Sequence, residues 1–120
     1  MKRLFKNNTA LQKALQMQSE ICKALGNPQR LAIIARLHEE VPAADLIAEL
    51  GISKANLSKH MSLLAHAGIV ESRRDGRQVV YRLTDPEIHV ACTIMRSILC
   101  RRLKRGDKLA FAMSSQKDRH

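Results

Sequence analysis

The chain carries two hydrophobic periods in turn, and the change of period divides it. From Asn8 to Leu25 the apolar positions Leu11, Leu15, Cys22 and Leu25 follow a near-heptad stripe, with Gln18 as a lapse. That spacing predicts a first helix able to pack against another helix. Gly26-Asn27-Pro28 stops it, and Pro28 suits the first turn of the next helix. In QRLAIIARLH, Leu31, Ile34 and Leu37 share a face with Ile33 beside them, which predicts a mostly buried second helix.

VPAADLIAEL predicts a short third helix, with Pro42 near its start and Gly51 as its stop. Ser53 is placed to cap KANLSKHMSLLAHAG, where Leu57, Met61 and Leu64 recur at i, i+4 and i+7, and Gly68 ends the run. Two short helices meeting through Gly51-Ile52-Ser53 have the pattern of a helix-turn-helix.

After Gly68 the period drops to two. Val70, Ser72 and Arg74 alternate with Glu71 and Arg73, and Val79, Tyr81 and Leu83 alternate with Val80 and Arg82. Asp75-Gly76 between these runs is a strong hairpin signal, because both residue types tolerate positive φ. Thr84 or Asp85 then caps a last helix with Pro86 in its first turn. Its Ile88, Cys92, Met95 and Leu99 mark a second helix-packing seam, Leu103 follows, and Gly106 ends it. The expected fold is mainly α with a small β-hairpin: a winged helix-turn-helix of five helices. Residues 1–106 form the domain and residues 107–120 a basic C-terminal tail.

Composition narrows the function. The 120 residues fit one domain, and 45% hydrophobic content suffices for a core. Aromatic residues make up only 2%, so platforms that stack single-stranded bases are not expected. The formal net charge is +10, which points to a polyanionic partner. Residues 1–53 hold seven basic and five acidic groups, whereas residues 54–120 hold fourteen and six, so the excess lies C-terminal. No apolar run is long enough to span a membrane, and the basic N-terminus lacks the apolar stretch of a secretion signal. Three widely spaced cysteines suggest a reducing, cytoplasmic setting. No phosphate-binding glycine loop or nucleophile–base pair at motif spacing is present, so an enzyme is not expected.

The charge acquires a use on the predicted fold. With Leu57, Met61 and Leu64 turned inward, Lys54, Ala55, Asn56, Ser58, Lys59 and Ser62 remain on the outer face of the fourth helix. Asn can bond adenine through two hydrogen bonds, Ser reaches bases or phosphates, and Lys adds charge or guanine contacts. Arg73, Arg74, Arg77 and Gln78 crowd the hairpin tip, where four nearby guanidinium groups (Arg82 included) would repel one another without an external anion. Double-stranded operator DNA fits this arrangement. The competing reading is a winged helix that docks protein, or structured RNA by shape, without sequence-specific DNA recognition.

Taken in order, ALGNPQRLAIIARL, LIAELGISKANLSKHMSLLAHAGIV and RRDGRQVVYRL resemble the ArsR/SmtB family of winged-helix transcriptional repressors over about residues 20–103. The resemblance implies a homodimer joined through the first and last helices, an operator of two half-sites, and release by an inducer. It also implies that His60 is a framework residue rather than a base reader.

The sensor of that family is where the chain departs. Arsenic-type members carry paired cysteines in a Glu-Leu-Cys-x-Cys-Asp pattern, but EVPAAD places Pro42 and Ala44 at those positions. The zinc-type positions on the last helix fall on Asp85, Glu87, Ile98 and Arg101, and an isoleucine cannot ligate. Three readings stay open for Cys92 and Cys100. They are buried structural thiols, a thiol switch promoted by basic surroundings, or a soft-metal or metalloid site drawing on His89. If the last helices cross as in the family, Cys92 would approach its symmetry mate. Cys22 could join either arrangement.

Overall fold

A computed structural model describes residues 8–106 and runs α1 (Thr9–Leu25), α2 (Pro28–Arg36), β1 (Val41–Pro42), α3 (Ala43–Leu50), α4 (Lys54–His66), β2 (Val70–Asp75), β3 (Gln78–Leu83) and α5 (Glu87–Lys104). The five helices and the hairpin stand in the predicted order. The expected tail at residues 107–120 lies outside the described residues.

Local chemistry accounts for the boundaries. Asn8 caps α1 by accepting from the Leu11 amide at 2.8 Å, and Asn27 caps α2 by accepting from the Gln29 and Arg30 amides. Pro28 occupies the first turn of α2, where its missing N–H costs nothing. The N-cap of α5 falls on Pro86 rather than on Thr84 or Asp85, and Asp85 Oδ1 accepts from the Glu87 amide at 2.9 Å just ahead of the helix. The Thr84 hydroxyl donates to the Gly68 carbonyl at 2.6 Å and so pins the end of the wing to the end of α4.

One element was not foreseen. Val41 and Pro42 form a third strand, antiparallel to β3, with Val41 opposite Tyr81 and Pro42 opposite Val80. Two residues are too few to show a period, and the proline lowered their strand signal. The resulting sheet has the order β1-β3-β2.

The core is aliphatic. Ile33, Ile34, Leu37, Val41, Leu46, Leu57, Met61, Leu64, Ile69, Val70 and Leu83 form one buried cluster, and no polar residue is buried among the described residues. Leu31 departs from its predicted place and is 40% exposed, because the first turn of α2 lies at the margin of this cluster. Neither α1 nor α5 contains a fully buried residue. The predicted seam on α5 divides: Ile88 and Cys92 pack against the core of their own chain, while Met95 is 62% exposed. Val90 and Ile94 of α5 are also exposed, as are Leu15, Met17 and Ile21 of α1. The shortest dimension is 21 Å, about two helix layers, so a single chain has no further layer to cover these faces.

Candidate nucleic-acid interface

The turn between α3 and α4 is set by two residues. Gly51 has φ of 64°, a left-handed conformation that ends α3 and is open to a residue without a Cβ. Ser53 Oγ then accepts from the Asn56 amide at 3.0 Å and begins α4 in a new direction. Leu57, Met61 and Leu64 anchor α4 from below. Lys54, Ala55, Asn56, Ser58, Lys59 and Ser62 are all exposed, as the period required.

The wing differs from its predicted turn. β2 ends at Asp75 and β3 begins at Gln78, so the two turn residues are Gly76 and Arg77. Of these two only Gly76 has positive φ, at 65°, and among the described residues no residue other than glycine does. Glycine at the first central position is the pattern of a type II′ hairpin, and it leaves Arg77 at the tip.

Strand register separates arginines that the sequence pooled. Arg73 stands opposite Val80 and Arg74 opposite Val79, so the two lie on opposite faces of the ribbon. On the first face Arg73 is ion-paired with Glu40, and Arg82 Nε donates to Glu71 Oε1 at 2.6 Å. The guanidinium of Arg73 holds the Glu40 carboxyl below its usual range, and Glu40 in turn raises Arg73. Among the described residues, by contrast, Arg74 and Arg77 have no hydrogen-bond or ion-pair partner, and neither do Lys54 and Lys59. These four cations are free to meet an external anion.

One groove of 340 Å³ gathers the two halves of the predicted surface. It is lined by Lys54 and Ser58 from α4 and by Arg77 and Gln78 from the wing, over a floor that includes Ile47 and Tyr81. Val79 also lines it, so the face that bears Arg74 is the one turned toward α4. Burial pushes the Tyr81 phenol up, which keeps it neutral beneath the cations. The sequence did not reveal the partner that ties down Arg73, since Glu40 lies 33 residues away.

His60 lies on the inner side of α4. Its Nε2 is 2.6 Å from Gln29 Oε1, and Arg30 Nη1 stands 3.3 Å from its Nδ1. Burial first, then the charges of Arg30 and Lys59, lower the pKa of this imidazole. Gln29 and Arg30 carried no signal in the sequence beyond polarity at a helix start.

The expected sensor residues stand in different surroundings. Cys22 and Cys100 are exposed, and Cys92 is half-buried against the core, which turns it away from the uncovered face of α5. The ring of His89 meets His38 edge-on, with centroids 5.9 Å apart. Among the described residues no three His, Cys, Asp or Glu side chains are grouped to hold a metal ion. Asp85 and Glu87 keep carboxylates at two of the zinc-type positions, but Ile98 and Arg101 occupy the other two and Pro42 and Ala44 replace the arsenic-type cysteines, so the residues present do not fit either metal set.

A helix-turn-helix domain family matches residues 25–73. An HTH-type transcriptional regulator of Mycobacterium tuberculosis, Rv0081, is 31% identical over 97 residues, covering 79% of this chain and 83% of the relative. Its crystal structure superposes with a TM-score of 0.69 at 29% identity, over 77% of this chain and 94% of that one. The transcriptional repressor SmtB of the same organism is 33% identical over 85 residues, covering 70% of this chain and 62% of the relative. A homodimeric winged helix-turn-helix DNA-binding domain from Mycobacterium bovis, solved in solution and described as of possible ArsR family, has a TM-score of 0.75 at 22% identity. That match spans 82% of this chain and 93% of the other. With the fold, the order of motifs and these relatives in agreement, the chain belongs to the ArsR/SmtB family of winged-helix transcriptional regulators.

Proposed function

We propose that the protein is a dimeric transcriptional repressor that binds operator DNA, with α4 in the major groove and the wing along the flanking backbone. The observation that carries this reading is the shared groove, in which Lys54 and Ser58 of α4 meet Arg77 and Gln78 of the wing. Asn56, Ser58 and Lys59 read base edges, while Arg74 and Arg77 hold phosphates. The uncovered apolar faces of α1 and α5 support dimerisation through those helices, as does the homodimeric state of the Mycobacterium bovis domain. No described helix is long and apolar enough to cross a membrane.

Of the inducer classes considered, a thiol-reactive signal retains the best support. Cys100 and Cys22 are exposed, whereas the metal donor sets of the family are replaced here.

The test is a gel-shift assay of the reduced full chain on DNA upstream of its own gene, with random duplex as competitor and salt varied. Roughly four or five phosphate contacts per protomer give a dimer about eight to ten, and log affinity then falls with log salt at about 0.9 per phosphate. Displacement by random DNA as readily as by the upstream fragment would instead favour a module that docks protein or structured RNA. Repeating the assay after persulfide or oxidant, and with Cys100→Ser, tests the inducer.

A further inference from the structure

The recognition helix is seated on the rest of the chain by a polar bridge that no part of its core explains. Arg30 Nε donates to the Ala24 carbonyl in the last turn of α1 at 2.5 Å. The same guanidinium presents Nη1 to Nδ1 of His60, and His60 Nε2 reaches Gln29 Oε1. Arginine can only donate, so Nδ1 must be the acceptor. A neutral imidazole then carries its proton on Nε2, which matches the amide oxygen of Gln29. The bridge is complete in one tautomer of one protonation state.

We infer that His60 is a proton-sensitive positioning residue: neutral, it joins α1 and α2 to the recognition helix, and protonated, it pushes Arg30 away and unseats that helix from its DNA-reading position. The inference rests on the DNA-binding reading above. Protonation places an N–H on Nδ1, where it meets an Nη1–H instead of a lone pair, and it sets two cations 3.3 Å apart. No carboxylate compensates from the elements around it. α2 contributes Arg30 and the neutral Gln29, and α4 contributes Lys59 and, at its end, His66. α1 contributes Lys23 and Glu20 along the groove beside Arg30, and Glu20 is already paired with Lys23 at 3.6 Å. Since folding lowers the His60 pKa below its ordinary 6.5, the unfolded chain takes up the proton first as pH falls. The seat is therefore intact above pH 6.5 and is lost as pH drops through the folded-state midpoint.

The predicted effect opposes bulk electrostatics. Added positive charge strengthens phosphate binding, so acid should tighten an indifferent basic protein onto DNA. Here acid weakens specific binding by up to about tenfold per pH unit for each linked His60 below its midpoint. The experiment measures operator affinity of the full chain from pH 8 to pH 5 at fixed salt, for wild type and His60→Gln, with circular dichroism to confirm folding. It is paired with imidazole nitrogen NMR of His60 in the free protein. The expected result is an acid loss in wild type that is absent from His60→Gln, an Nε2–H tautomer at pH 8, and α4 amide shifts that titrate with His60. Gln29→Glu supplies a carboxylate to Nε2–H and should raise the His60 midpoint, and the acid loss of operator binding should move to higher pH with it, which a purely structural contact would not produce. Parallel pH profiles for wild type and His60→Gln overturn the inference. So does an Nδ1–H tautomer, or an α4 that ignores the titration. Should the wild type fail to bind DNA even at pH 8, the repressor reading falls, and the NMR titration still decides whether His60 governs the seat of α4.

Discussion

Glu40, in the loop before β1, holds Arg73 across the back of the wing. Strand register already turns Arg73 away from the face that looks toward α4, and the pair neutralises it there, which leaves Arg74 and Arg77 as the free cations of the wing. It also explains how so much positive charge is tolerated in one hairpin. Arg73 and Arg82 each have an internal carboxylate, so the repulsion that remains is mainly between two side chains near the tip.

Loss of the free arginines should therefore weigh more than loss of the paired one. Arg74→Ala and Arg77→Ala are each expected to weaken binding to all duplex sequences and to flatten the salt slope by about one. Arg73→Ala should change that slope little, and Glu40→Gln, which frees Arg73, should raise affinity for random DNA. Salt titrations of the four variants check this ordering.

Asn56 is the test of base reading. Its exposed side chain has no partner among the described residues, and Asn56→Ala should cost about 1–3 kcal/mol at particular base pairs while leaving random DNA nearly unaffected. Competition against a library of single-base operator variants measures the change. Equal losses on operator and random duplex would assign Asn56 to the backbone instead.

The uncovered face of α5 predicts an assembly phenotype. Ile94 is 57% exposed, so Ile94→Glu should leave the fold of the single chain intact. A charge buried in the proposed dimer seam without a partner is strongly unfavourable, and the variant should sediment as a monomer and lose operator binding. An unchanged sedimentation profile would place the seam elsewhere.

The wing turn and the core give two stability tests. Gly76→Val forces a β-branched residue to a φ of 65° and should weaken the hairpin, read as line broadening of wing amides and reduced DNA affinity. Leu46 is fully buried between α3 and its neighbours, so Leu46→Ala should cost about 2–5 kcal/mol in denaturant unfolding.

Much of this architecture was legible because it is written in short-range chemistry. Leu57, Met61 and Leu64 declared the buried side of α4 through their spacing, and Ser53 and Gly51 declared its start and the turn before it. β1 stayed hidden, since two residues carry no period. The type II′ turn was hidden too, because Asp75-Gly76 and Gly76-Arg77 are both plausible turn pairs until strand register selects one.

By itself the sequence determined the order of elements, the aliphatic core and the basic outer face of α4, for each follows from contacts between residues a few positions apart. Tertiary structure alone decided which arginines are free, which way Cys92 faces and what His60 touches. Those depend on residues such as Glu40 and Arg73, 33 positions apart, and Gln29 and His60, 31 apart, whose meeting only the packed chain arranges.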